Sequence, residues 1–363
     1  MQETSRRTVL KGAAWAAPAI AATAASPLMA ATDVCEDDTT QRRVNGVAPG
    51  NSGATLKVTV PDQQKKMLIW IVGGNGGGSS NMGRGRYIHA MVDVTPGEDF
   101  ILQAGGGGEA YGSGTGRGGT SAFAQGGRGG KDGSWYGAGG GGASAIVTPN
   151  GKPLIVAAGG GGDNIHHAAY KSLGGVPKKY WGTSGDGVPQ NPNIPSGGGH
   201  GGQVGQAGIA GSYGWHKGDN GRYRVVATGG AGGTQSSGGG GGVVRVINNG
   251  ADIHARAAGN AASGSRGANG PNTALGSAGD NGVAGGGGGG YFGGGSGAGA
   301  RFTSDPYQGH LLFGKYTTYK ITGTGGGGSS WARDDVMVLE QSLANANAGK
   351  EGRCGYVAVS FMC

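Results

Sequence analysis

The residues best suited to chemistry are few and scattered. His166 and His167 are adjacent, and imidazole pairs hold metals when further donors stand at a defined spacing; no such donor follows, so they read as solvated loop histidines. Gly114-x-Gly116-x-x-Gly119 fits a dinucleotide-binding spacing. With 90 glycines in 363 residues such matches arise by chance, and no strand–helix–strand unit encloses this one. Gly309-His310-Leu311-Leu312-Phe313-Gly314-Lys315 has the spacing of a phosphate loop, but Tyr316 stands where a magnesium-binding Ser or Thr belongs. Asp163, Asp186, Asp219 and Asp280 each follow a glycine without forming a tandem calcium-binding repeat. Nucleophile-elbow, paired-histidine zinc and Cys-x-x-Cys motifs are absent from the sequence. No catalytic, cofactor or metal site is predicted. The chemical alternative is an envelope-processing enzyme acting on polysaccharide or peptidoglycan through His167 and Asp186.

Three cysteines remain: Cys35, Cys354 and Cys363. If Tyr356 to Phe361 is extended, about 3.3 Å per residue puts Cys354 and Cys363 up to roughly 30 Å apart. A disulfide needs Cα atoms within about 7 Å. The expected bond therefore joins Cys35 to one of the other two, Cys363 before Cys354, because a terminal tail adapts.

Disulfides need an oxidising compartment, and the amino terminus supplies a route to one. Ser5-Arg6-Arg7-Thr8-Val9-Leu10-Lys11 fits the twin-arginine export motif; an alanine-rich apolar stretch and small residues follow, with a cut near Ala30 or Ala31. Residues 1–31 are thus expected to be a Tat signal peptide, and 32–363 one exported bacterial domain, secreted or wall-associated. Without residues 1–31 the formal net charge falls from +8 to +6, a mild surplus that suits contact with an anionic cell envelope. No nucleic-acid-binding signature accompanies it, and no later apolar run is long enough to span a membrane.

What must position any site is glycine. From Gly199 every third residue is glycine: Gly199, Gly202, Gly205, Gly208, Gly211 and Gly214. The phasing returns at Gly276, Gly279, Gly282, Gly285 and Gly288, before Tyr291. A period of three matches the polyproline II helix, whose peptide groups point outward and need neighbours. Without Cβ atoms such helices approach closely enough to hydrogen-bond one another. Each glycine costs roughly 0.5–1 kcal/mol of backbone entropy, so the gain must be collective. The competing reading of this composition is low-complexity disorder; collagen is excluded by the broken Gly-X-Y period.

Short period-two runs argue for order. Strands are expected at Ala54 to Val60, Met67 to Val72, Tyr87 to Val94, Phe100 to Gln103, Ala145 to Thr148, Leu154 to Ala157, Val243 to Ile247, Tyr316 to Thr322, Val336 to Leu339 and Tyr356 to Phe361. A short helix is expected near Leu339 to Ala346. Asp163 to Ser196, with His166, His167, Tyr180 and Trp181, reads as a loop insertion and candidate interaction loop. Aromatics beside glycine runs, among them Trp135, Tyr136, Tyr213, Trp215, Tyr291 and Phe292, read as lids on bundle ends or as a ligand platform.

Ordered pieces of this chain resemble the glycine-rich domain of the receptor kinases anaplastic lymphoma kinase and leukocyte tyrosine kinase, with its bacterial relatives. They are Met67 to Gly78, Val94 to Gly107, Gly139 to Val147, Pro153 to Gly162, Ala284 to Gly295 and Gly355 to Phe361. The resemblance implies an all-β fold: a tumour-necrosis-factor-like β-sandwich with an inserted bundle of polyglycine-II helices. The receptors' cytokine binding is not carried over, since kinase and membrane segments are missing from this sequence. The expected function is a secreted or surface interaction protein of adhesin type, without cofactor, presenting loops on a rigid scaffold to a protein or glycan. Ice binding is a further alternative, though no threonine array supports it.

Overall fold

The computed structural model describes residues 37–78, 82–112, 114–166, 181–183, 198–211, 214–217, 224–247, 251–271, 282–304, 317–345 and 351–363. Among them there is no α-helix, and every strand pair is antiparallel.

Two five-stranded sheets share one apolar core. The first has the order β1 (Asp38–Asn45), β21 (Tyr356–Met362), β3 (Lys66–Val72), β4 (Arg86–Asp93), β20 (Met337–Leu343). The second has the order β19 (Trp331–Ala332), β9 (Pro153–Ala157), β8 (Ser144–Val147), β5 (Asp99–Ala104), β2 (Ala54–Thr59). Alternation decides which side chains meet. Met67, Ile69 and Ile71 of β3, Ile88 and Ala90 of β4, and Val357, Val359 and Phe361 of β21 are buried with Phe100, Leu102, Ile146 and Leu154 of the second sheet. The second sheet is covered on its other face too, by Ala124, Phe123 and Tyr291 against Ala143, Ala145, Val147 and Val156. That explains the unbroken apolar runs of β8 and β9.

A second, smaller core contains two of the expected strands, Val243 to Ile247 and Tyr316 to Thr322, among others not expected. β11 (Trp181–Thr183), β12 (Gly214–Lys217), β13 (Arg224–Ala227) and β14 (Val244–Ile247) form one sheet, and β15 (Ala251–Ala257), β17 (Gly299–Ser304) and β18 (Thr317–Thr322) another. Val225, Ala227, Ala298, Ala300 and Ile321 pack together there, with Val244 alongside. Two strand pairs complete the list: β6 (Lys131–Asp132) with β7 (Trp135–Tyr136), and β10 (Ile165–His166) with β16 (Gly282–Val283).

Glycine segments connect these sheets. Residues 323–330, for instance, lead from β18 beside the small core to β19 beside the large one. Their amides bond across segments with a period of three. Gly285 and Gly288 donate to Gly323 and Gly326, Gly286 and Gly289 to Ala138 and Gly141, and Gly287 and Gly290 to Ala268 and Ser265. The carbonyls of the same stretch accept from three other segments: Gly286 and Gly289 from Gly162 and Gly159, Gly285 and Gly288 from Gly297 and Gly294, and Ala284 and Gly287 from Gly130 and Gly127. Segment 285–290 is thus ringed by backbone, with all six N–H groups donating and the carbonyls of 285–289 accepting. A methyl built on Gly287 would overlap the Gly294 carbonyl, and one on Gly140 the Gly287 carbonyl.

Three sequence expectations are corrected. The run from Gly199 to Gly214 is not one straight segment. Gly205, at φ +75°, reverses it through a turn closed by Gln206 N–H to the Gln203 carbonyl at 3.0 Å, and Ile209 then bonds back to His200. Gly199, Gly202, Gly208 and Gly211 do donate to glycine segments, whereas Gly214 starts β12 and Gly282 starts β16. The helix expected at Leu339 to Ala346 is instead mostly β20, and a bulge between Val338 and Glu340 moves its half-buried positions to 338, 341 and 343. Spacings of three and two imitate a helical stripe. Finally, Asp163 to Ser196 is not irregular throughout, because β10 near its start and β11 in its middle pair in different sheets.

Candidate binding surface

Of the proposed interaction loop, the described residues His166 and Trp181 stand in different sheets. His166 pairs in β10 with Gly282, and Trp181 pairs in β11 with His216 of another sheet. His167, Tyr180, Asp186, Gly276, Gly279 and Cys35, and the proposed signal segment, lie outside the described residues. The flanking aromatics are partly spent on packing: Tyr291 stacks on Trp331 at 4.9 Å and meets Phe292 edge-on at 5.2 Å. Among the described residues no group of three His, Cys, Asp or Glu side chains could hold a metal.

A cavity lies elsewhere, at the end of the first sheet where strands pass into glycine segments. It is a cleft of about 400 Å³, within the usual range of small-ligand sites. Its floor is a cross-strand row on the sheet's outer face: Tyr356 opposite Val72, Val72 opposite Tyr87, and Tyr87 opposite Ser342. Leu343, Asn345, Arg353 and Cys354 complete the walls. No carboxylate is among the lining residues.

Asn75 ties down both described ends of the connection between β20 and β21, which supplies the walls. Its side-chain Nδ2 donates to the Asn345 carbonyl at 2.8 Å, and its Oδ1 accepts from Gly85 N–H at 2.9 Å. Its backbone N–H donates to the Arg353 carbonyl at 2.9 Å. The cleft walls are therefore held by hydrogen bonds. Cys354 is a free, exposed thiol whose sulfur accepts from Gly107 N–H at 3.5 Å.

Charges of both signs stand at this end of the sheet. The Arg43 guanidinium lies 4.1 Å from the Tyr356 ring centre, anchored by Nε to Asn45 Oδ1 at 2.9 Å. With Arg353 it brings a second cation to this end of the sheet. Burial, then Glu340 and Tyr356, raise the Tyr87 phenol above its usual pKa, which keeps it a hydrogen-bond donor. Beyond the row, Trp70 stacks on His89 with centroids 5.1 Å apart, extending the aromatic surface along the same face.

A second polar cluster is structural. Arg86 is buried, and its guanidinium donates to the Gly201 carbonyl at 2.8 Å and to that of Gly202 at 3.3 Å. His200 Nδ1 accepts from Arg84 N–H at 3.0 Å. Burial first, then Arg84 and Arg86, lowers the His200 pKa to about 4, so the ring is neutral at pH 7.

None of the cleft residues stood out in sequence. They come from four separated stretches, and the only available signal was tyrosine at outward positions of alternating strands. No protein-family model matches this chain, and no curated protein matches it.

Proposed function

We propose that this is an exported, non-enzymatic interaction protein of the bacterial envelope, in which a tumour-necrosis-factor-like β-sandwich grips a bundle of polyglycine-II helices. The rigid body presents loops, 163–196 among them, to a protein or glycan partner. The observation that carries this reading is the segment 285–290, where donors at i and i+3 reach one neighbour and a full ring of segments is satisfied. That is the bonding expected of three-residue-per-turn helices packed side by side, and it differs from the period of two in sheets. The resemblance to the receptor-kinase glycine-rich domain points the same way. Tat export fits it as well, since that route carries folded proteins.

The proposal includes closure of the chain ends by a Cys35–Cys363 disulfide. Two facts favour Cys363 over Cys354 as the partner. Cys354 is a free thiol just before β21, at the opposite end of that strand from Cys363. The Cys363 N–H donates to Asp37 Oδ1 at 3.0 Å, which places the last residue beside the start of β1. Non-reducing peptide mapping is expected to recover a Cys35–Cys363 peptide; a Cys354 link would overturn it.

Hydrogen exchange tests the scaffold. Peptides covering 196–214 and 276–297 are expected to stay protected for minutes or longer. Exchange within seconds would make the region a flexible tether and end the scaffold reading. Labelled mature protein is in turn expected to bind its own cells, host surfaces or glycans; failure at every salt concentration would end the adhesin reading.

A further inference from the structure

We propose that one outer face of the glycine bundle binds an acidic polysaccharide with a carboxylate on every second sugar, its acids set against Arg266, Arg128 and Lys131. The inference deepens the reading of an interaction protein and rests on its rigid scaffold.

Three segments make the face. In 125–130 the amides of Gly126 and Gly129 donate to Gly119 and Gly116 on one flank, and the carbonyls of Gln125 and Arg128 accept from Gly267 and Gly270 on the other. Gly127 and Gly130 donate to Gly287 and Ala284 in the layer beneath. The third set of the three-residue period is turned outward. Gln125, Arg128 and Lys131 are exposed, as are Ser263, Arg266 and Asn269 on the neighbouring segment, while Gly127, Gly130, Ala268 and Gly270 are buried. Asn269 Oδ1 caps the Arg128 N–H at 2.9 Å.

Charge follows the same period. Gly267 and Gly270 run level with Gln125 and Arg128, so Arg266, Arg128 and Lys131 stand at three successive levels, each about 9 Å further along a segment that rises about 3.1 Å per residue. Among the described residues none of the three has an ion-pair partner. Arg128 and Lys131 each lie 5.4 Å from the Tyr136 ring centre, a contact that confines the long side chains and leaves their charge uncancelled. Nearby carboxylates are turned to other work. Asp132 is buried, and Glu109, beside Arg117 on the flank, accepts from Thr115 Oγ1 at 2.6 Å and from the Arg117 N–H at 2.8 Å.

The interval selects the guest. A nucleic-acid strand in a duplex carries a phosphate about every 3.4 Å, and an extended acidic peptide turns a carboxylate to one face about every 6.6 Å. Both are denser than the row. A sugar chain with an acid on alternate rings is sparser and comes closer to it. Its hydroxyls suit Gln125, Ser263 and Asn269, the uncharged polar side chains exposed among the cations. These outward positions hold no large apolar side chain to enter a lipid layer. The hydrogen-bonded backbone beneath keeps the spacing fixed before binding.

Hyaluronan oligosaccharides, acidic on alternate sugars, are the probe, with binding to the full chain read by calorimetry at low salt. Arg128→Gln with Lys131→Gln is expected to weaken binding about tenfold, and Arg266→Gln alone about threefold. Lys152→Gln with Arg245→Gln removes the same charge from exposed positions in the β8–β9 turn and on β14. This control pair is expected to change binding less than about twofold, because charges far from the face are screened. Carboxyl-methylated hyaluronan, single-stranded DNA and poly-glutamate are expected to bind at least about tenfold more weakly than hyaluronan.

Absence of hyaluronan binding overturns the proposal, as does equal binding of the methylated form. An equal loss in the control pair overturns the assignment to this face. Equal binding of DNA or poly-glutamate makes the face a general polyanion surface and overturns the polysaccharide. Hydrogen exchange over 276–297 on the same samples separates the two levels: protected amides without binding remove only the ligand, and unprotected amides remove the scaffold beneath it.

Discussion

The sheet core and the glycine segments hold together by opposite means. Around Leu102, Ile146 and Phe361 cohesion comes from side chains driven out of water, and the backbone is the frame that aligns them. Around segment 285–290 there are almost no side chains to bury. Neighbours meet through N–H to carbonyl bonds of 2.7–3.2 Å, and close approach of bare backbone replaces interdigitation. The first kind of core tolerates changes of shape by repacking. The second has little that can move aside, since the nearest atom facing each glycine of 285–290 is a backbone carbonyl oxygen. The comparison teaches that the more uniform sequence makes the more exacting structure.

The largest expected effect tests that intolerance. Gly287→Ala sets a methyl against the Gly294 carbonyl and is expected to lower stability by roughly 4 kcal/mol or to prevent folding, as read by chemical denaturation. Leu102→Ala, a much larger change in volume at a fully buried site, is expected to cost about 3 kcal/mol. Reversal of that order would remove the contrast between the two regions.

A pH titration sharpens it where the regions meet. His200 is neutral when folded, with a pKa of about 4, against 6.5 for an ordinary histidine. The unfolded chain therefore takes up the proton first on acidification. The His200 contribution is complete above pH 6.5 and is lost progressively as pH falls toward 4, by about 2 kcal/mol between pH 7.5 and 5. His200→Asn, which keeps an acceptor for Arg84 N–H, is expected to flatten this dependence. An unchanged pH profile in the variant would assign the acid sensitivity elsewhere.

The smallest effect is a control. Gly240 has open space where its Cβ would stand and no positive φ, so Gly240→Ala is expected to change stability by less than about 1 kcal/mol, toward gain. A loss comparable to that of Gly287→Ala would mean that glycine acts in this protein through composition and not through position.

Much of the large core was legible, because β3, β4, β5 and β21 alternate cleanly or are solidly apolar. Of the small core only β14 and β18 were legible, as the runs Val243 to Ile247 and Tyr316 to Thr322. β13 offers only Arg-Val-Val-Ala and β17 Gly-Ala-Arg-Phe-Thr-Ser, too short and too rich in small residues to stand out beside glycine runs. The bulge in β20 disguised a strand as a helix. The turn at Gly205 was hidden inside its own repeat, since one glycine letter serves both an extended segment and a reversal. The cleft was the least legible. Tyr87 and Tyr356 are neighbours only through the β3 register, and Asn75, which ties its walls, looks like one polar residue in a glycine run.

Because amides three apart along 285–290 reach the same neighbour, length itself becomes constrained. Adding one residue inside that stretch would turn every later N–H toward the wrong segment, while adding three would return each to its original bearing. Natural variation in such a chain should therefore change the interior in whole triplets and confine odd-length changes to the connections outside, as a reading frame does for codons.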